Sequence, residues 1–189
     1  MSKTRVLIVP GNGCGGDISG FNFYGWAEAA LQDTDLFDVV MPGPYGMPDP
    51  NGAKRSVWIP HIQNNMRCNS DAVIVGHSSG AVAALRYAEE FPVKGIVIVA
   101  AYDNALGDEG EAASGYFDGG WDWEGIQRNC GFIVQFGGGR DSLVPIEEQR
   151  RVAQSLAPKN QYFEIADEDH FFEPPFQQLV DVLVKNCSN

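Results

Sequence analysis

Gly76-His77-Ser78-Ser79-Gly80 sets one serine midway between two glycines. A serine hydroxyl attacks a carbonyl usefully only when a base takes its proton and amide groups hold the oxyanion that forms. Three histidines could supply the base: His61, His77 and His170. His77 lies inside the turn, where its side chain points away from its neighbour's hydroxyl. His61 precedes the serine, against the serine, acid, histidine order of a strand-turn-helix nucleophile site. His170 has the expected place, late in the chain. The third member must hold one imidazole tautomer and stabilise imidazolium. Asp141 follows an apolar run and lies between nucleophile and base. Its structural alternative is an acid at the start of the helix from Pro145. Asp103 is the competing acid, whereas Asp167 and Asp169 sit too near His170 in sequence. Ser79, as the residue after the nucleophile, offers one oxyanion amide, and Asn12 or Gly13 the second. The G-x-S-x-G register selects Ser78 over Ser79 as nucleophile.

These residues need a frame. About one chain in ten of this length and glycine content would carry G-x-S-x-G by chance, so context decides. Here Ala72–Val75 reads as a buried strand, and Ala81–Arg86 is alanine-rich and helical. A strand turning at once into a helix needs small residues on both sides of its corner, which Gly76 and Gly80 supply. Five other strands are expected at Arg5–Val9, Phe37–Met41, Gly95–Ala101, Phe132–Phe136 and Gln161–Ile165. Helices are expected at Tyr24–Leu31, Lys54–Cys68 with a kink at Pro60, from the turn to Phe91, Pro145–Leu156 and Pro174–Lys185. Six strands separated mostly by helices predict an α/β, doubly wound, mainly parallel sheet with helices on both faces. In such sheets reactive loops gather at the C-terminal strand ends, where the loops carrying Asn12, Ser78, Asp141 and His170 all fall.

Two loops invite other readings. Pro10–Gly16 is rich in glycine, but Gly16 leads into Asp17 and a loop, so a dinucleotide-binding turn fits poorly. Tyr102–Asn129 breaks the strand–helix alternation and sets Tyr116, Phe117, Trp121 and Trp123 among glycines. It reads as a small cap whose aromatics line a substrate pocket, or whose tryptophans only pin the loop to the core.

The chain's 189 residues suit one domain able to bury a core without disulfides or metal. A net charge of -12 argues against nucleic acid and anionic membrane as partners. Cys14, Cys68, Cys130 and Cys187 form no C-x-x-C or Cys/His cluster, so no metal, redox pair or other cofactor is expected. The apolar run Val6–Val9 is too short for a signal peptide, which leaves a cytoplasmic setting with reduced thiols as the expectation.

The residues also resemble a known family. Val9–Gly13, Met47–Pro50, Gly76–Ala81, Ala113–Phe117, Trp121–Glu124, Ile133–Gly137 and Asp169–Phe171 are similar to the retinoblastoma-binding protein 9 family of small serine hydrolases, of the α/β-hydrolase superfamily. G-x-S-x-G is superfamily-wide, whereas the cap segment with Gly107-Asp108-Glu109 is far more specific. The resemblance implies a triad of Ser78, Asp141 and His170, and a small ester, amide or peptide substrate cleaved in aminopeptidase fashion. It does not carry over the L-x-C-x-E docking motif behind the family's name: Met66-Arg67-Cys68-Asn69-Ser70 lacks its leucine and its acid. The rival to an enzyme is a binding or regulatory protein on a hydrolase scaffold.

Overall fold

The computed structural model describes residues 3–188. Its sheet contains β1 (Thr4–Val9), β2 (Phe37–Val40), β3 (Val73–His77), β4 (Val93–Val99), β5 (Cys130–Gly138) and β6 (Asn160–Ile165). They pair in the order β2-β1-β3-β4-β5-β6, every pair parallel. The chain leaves β1 toward β2, then crosses back to β3 on the other side. β1 and β3 therefore flank the topological switch point, where parallel α/β sheets open a crevice at their C-terminal edge.

Alternation along the strands builds two apolar layers. Leu7, Val9, Ile74, Ile96, Ile98 and Ile133 point to one face, into a cluster with residues of α2 (Arg55–Pro60), α3 (Ser79–Glu90), α5 (Trp123–Asn129) and α6 (Ile146–Ser155). Val6, Ile8, Val73, Val75, Val97 and Val99 point to the other, against α1 (Tyr24–Asp33) and α7 (Gln177–Cys187). β1, β3 and β4 are thus apolar on both faces, as a covered parallel sheet demands. No helix among the described residues is long and apolar enough to cross a membrane.

The sheet matches the expected doubly wound arrangement and is parallel throughout; the differences lie at element ends. The elbow strand runs on through Gly76 and His77, because their backbone still pairs with Ile98 and Val99 of β4. The long helix expected over Lys54–Cys68 is α-helical only to Pro60, then widens into a π turn at His61–Asn65, closed by Met66 N donating to His61 O at 3.0 Å. Proline has no amide hydrogen and crowds the preceding turn, so the ladder is reset there. The last helix starts at Gln177 rather than Pro174, since Pro174-Pro175 supplies no donor and disfavours helical backbone before each proline. Within the expected cap lie two short helices, α4 (Glu109–Ala113) and α5, capped by Asp108 accepting from Glu111 N and Asp122 accepting from Gly125 N.

Candidate active site

β3 ends at His77 and α3 begins at Ser79, leaving Ser78 alone at the corner with φ 56° and ψ −121°. Such a backbone costs a non-glycine residue about 1–3 kcal/mol and persists only where its surroundings fix it. The glycines explain how. A Cβ on Gly76 would strike the Gly80 carbonyl oxygen, and one on Gly80 would strike that of Val9. The Ser78 amide donates to Val99 O at 2.9 Å, which ties the corner to β4.

The loop after β1 lies directly against this corner. A Cβ built on Gly11 would come within 3.2 Å of the Ser78 Cβ. Gly13 N donates to Pro50 O at 2.8 Å and Gly15 pairs with Gly46, so the Pro42–Gly52 loop braces the turn holding Asn12. Asn12 and Ser79 therefore border Ser78 from two sides, with the positive end of α3 beneath.

Asp141 and His170 form a buried pair on neighbouring loops. Nδ1 of His170 lies 2.9 Å from Asp141 Oδ2 and 3.0 Å from Oδ1. The Asp141 side chain is 0% exposed and that of His170 4%. Asp141 also accepts from Leu143 N, Val144 N and Gln149 Nε2, at 2.9, 2.8 and 3.0 Å. These three bonds, with the pairing to His170, fix the orientation of the carboxylate. The glycine run of β5 brings the two loops together, because a Cβ on Gly138 would overlap the Asp169 carbonyl. Nε2 of His170 makes no hydrogen bond within the described residues, so it remains open to receive a proton. Asp103, the competing acid, instead takes Arg151 Nε at 3.0 Å.

His77 stands behind the pair, its ring centroid 4.7 Å from that of His170. Burial above all, then the His170 charge, pushes it down to about 3, so it stays neutral at physiological pH. Its role is structural and had no sequence signal beyond adjacency to Ser78. Gln149 was also not singled out from sequence; a glutamine on the apolar face of an amphipathic helix was its one available clue.

The four cap aromatics separate in the structure. Tyr116 is fully buried in the core, which removes its ring from any pocket lining. Trp121 and Trp123 stack on each other at 5.0 Å, with the Arg86 guanidinium 3.6 Å over Trp121, and Trp121 Nε1 donates to Asp103 O. They hold the cap to α3, the pinning alternative, because a buried arginine needs both an aromatic face and carbonyl acceptors. Tyr116 O at 2.6 Å and Gly120 O at 3.0 Å complete that set. Phe117 alone of the four packs beside the site, 5.8 Å from Tyr102. Glu111 of α4, one of several acids in the cap segment with Asp103, Asp108 and Glu109, also reaches the site. Its Oε1 accepts from Asn12 Nδ2 at 2.8 Å and from Ser79 Oγ at 3.2 Å. Burial raises its pKa against the lowering effect of the Tyr102 and Ser79 hydroxyls.

Comparison with known proteins follows the same lines. No protein-family profile matches the chain. The B. subtilis ydeN gene product superposes over 100% of both chains with a TM-score of 0.84 at 20% identity. MGS-M2, an α/β hydrolase from a Medee basin deep-sea metagenome, superposes over 100% of this chain and 90% of its own with a TM-score of 0.71 at 12% identity. At such identities the likeness establishes the fold, that of the α/β hydrolases. In sequence the chain is 42% identical over 182 residues to serine hydrolase RBBP9 of Rattus norvegicus, across 96% of this chain and 95% of the relative. With G-x-S-x-G at a strained corner of the α/β-hydrolase sheet and near-complete alignment to that relative, this chain belongs to the RBBP9 family of serine hydrolases.

Proposed function

We propose that this protein hydrolyses small esters or amides through an acyl-enzyme on Ser78. The observation that carries the reading is the buried Asp141–His170 pair, set on the loops that adjoin the strained Ser78 corner. His170 Nε2 takes the Ser78 proton as Oγ attacks the substrate carbonyl. Asp141 holds Nδ1–H and stabilises the imidazolium. The amides of Asn12 and Ser79 hold the tetrahedral oxyanion, helped by the N-terminus of α3. Collapse of the intermediate expels the leaving group, which takes its proton from His170. Water, deprotonated by the same imidazole, then attacks the acyl-enzyme and releases Ser78. Family membership supports amino-acid amides or short peptides, cleaved from the amino end, as the substrate class. We also propose a cytoplasmic setting, where Cys14, Cys68, Cys130 and Cys187 would stay as free thiols.

The test is labelling with a fluorophosphonate, read by intact mass on wild type, Ser78→Ala and Ser79→Ala. One adduct on wild type and on the Ser79 variant, with none on the Ser78 variant, is the expected pattern. No adduct on folded wild type would overturn the reading and favour a non-catalytic binding protein on the same scaffold.

A further inference from the structure

Glu111 stands in an electrostatically awkward place. Its carboxylate hydrogen-bonds the side chains of Asn12 and Ser79, the two residues whose amides receive the oxyanion in the reading above. Two negative charges would then share one small region once the tetrahedral intermediate forms, at a cost that grows as water is excluded. No lysine or arginine offsets Glu111 among the described residues. Arg55, whose charge reaches Tyr116, instead pairs with Glu90 at 2.9 Å. What surrounds Glu111 is a set of hydroxyls. Tyr102 lies 3.2 Å from the shared Ser79 Oγ. Tyr116 OH is buried without a hydrogen-bond partner, and the Glu111 charge raises its pKa, second only to burial. A net charge of -12 supplies no long-range positive field in its place. The missing cation must come with the substrate.

We infer that Glu111 is a specificity-determining residue, binding the ammonium group of substrates that carry a free amine one carbon from the scissile carbonyl. The inference rests on the hydrolase reading for the position of the oxyanion, and it explains how that site tolerates an acid. An α-ammonium sits close enough to neutralise Glu111 and to leave the Asn12 and Ser79 amides to the oxyanion. A neutral or N-acylated substrate lacks that compensation. Phe117, half-buried and with its ring 5.8 Å from that of the buried Tyr102, offers an apolar surface for the neighbouring side chain.

The experiment measures binding without turnover, on Ser78→Ala, by titration calorimetry at pH 6.5. The probes are L-phenylalaninamide and 3-phenylpropionamide, which differ only in the amine. The expected result is an amine-bearing ligand held roughly 10- to 100-fold tighter, the range of one charge-assisted hydrogen bond. In the Ser78→Ala/Glu111→Gln variant that preference disappears, because Gln keeps an acceptor for Asn12 and Ser79 but has no charge. Equal affinities on Ser78→Ala overturn the inference whatever the double variant does. A preference that survives Glu111→Gln overturns it as well. Amine preference on Ser78→Ala without fluorophosphonate labelling of wild type would sink the hydrolase reading and leave the ammonium site standing; labelling without amine preference would do the reverse.

Discussion

The Tyr24 hydroxyl lies 2.7 Å from Nδ1 of His77, and both side chains are buried. Tyr24 already accepts from Gly11 N and Asn22 Nδ2, each at 3.0 Å, so its one proton goes to His77 Nδ1. That fixes the tautomer: His77 Nε2 carries the hydrogen and donates to His170 O at 2.9 Å. One chain of bonds therefore joins the oxyanion loop at Gly11 to the backbone of the proposed base, through the residue before the nucleophile.

Tyr24→Phe removes both the acceptor for Gly11 N and the donor to His77. Leaving two buried groups unsatisfied is expected to cost about 2–4 kcal/mol of stability. It should also lower kcat about tenfold with little change in KM, since the bonds position the oxyanion loop and base rather than touch substrate. Chemical denaturation and steady-state kinetics on one preparation test both. A variant as active as wild type would separate the network from catalysis.

The same burial gives a pH signature. His77 titrates near 3 in the folded protein against 6.5 when unfolded, because burial and His170 disfavour its charged form. Between those values the unfolded chain binds a proton that the folded chain refuses, so stability rises with pH. The contribution is present above pH 6.5 and is lost as pH falls toward 3, with a total of roughly 3–5 kcal/mol. His77→Gln, which does not titrate, should flatten the profile of stability against pH in that window. An unchanged slope would assign the acid sensitivity to other groups.

At the nucleophile corner, Gly80→Ala should abolish folding. The added methyl would collide with the Val9 backbone oxygen, and neither β1 nor α3 can retreat without opening the sheet. Gly20→Ala is the matched control, since nothing lies within 4 Å of a Cβ there. Soluble yield and circular dichroism distinguish the two. A folded Gly80→Ala protein would show that the elbow has more slack than its geometry allows.

Much of this molecule was legible in its sequence, for reasons that also mark where legibility ended. β1 and β3 are apolar on both faces, Leu7 and Ile74 toward one layer and Ile8 and Val75 toward the other, because the sheet is covered on both sides, and that pattern is local. That Ser78, Asp141 and His170 fall on one edge follows from chain order, because topology puts every C-terminal strand end there. The cap obeys no such rule. Trp121 is where it is because Arg86, 35 positions earlier, needed a buried partner, and nothing near either residue announces the other. Glu111 stood out only as one of the cap's acids, with nothing local to separate it from Asp108 or Glu109. Tertiary contact alone gives it a role.

The Arg86 anchor can be tested directly. Arg86 is 2% exposed and donates to Tyr116 O, Gly120 O and Glu89 while covering Trp121. Arg86→Leu leaves the partly buried Glu89 with only the Asp122 amide and Arg55, 4.0 Å away, and frees two carbonyls. Breaking a buried pair on one side costs about 3–5 kcal/mol, and the loss should fall first on residues 114–123. Hydrogen exchange would then show early loss of protection in the cap while β3 and β4 stay protected. Uniform loss would mean that the cap and the sheet unfold as one unit.

Gln149 gives the sharpest separation of orientation from chemistry. Fully buried on α6, it donates to Asp141 Oδ2 at 3.0 Å and to Val144 O at 2.8 Å, and its Oε1 accepts from Gly138 N at 3.3 Å. It hydrogen-bonds neither His170 nor Ser78, so its effect runs through Asp141 and the backbone at Gly138 and Val144. Gln149→Met keeps the volume and removes every bond. Asp141 would retain its two backbone donors, Leu143 N and Val144 N, but would lose the side-chain donor that helps fix its plane. The expected result is a fall in kcat of about tenfold with KM unchanged. Asp141→Asn, which favours the wrong His170 tautomer, should cost about 10⁴-fold. Gln149→Glu is the decisive third variant, because a second carboxylate beside Asp141 should raise the pH needed for full activity. If its pH–rate profile matches that of Gln149→Met, then Gln149 only fills space, and the orientation of Asp141 rests on the backbone alone.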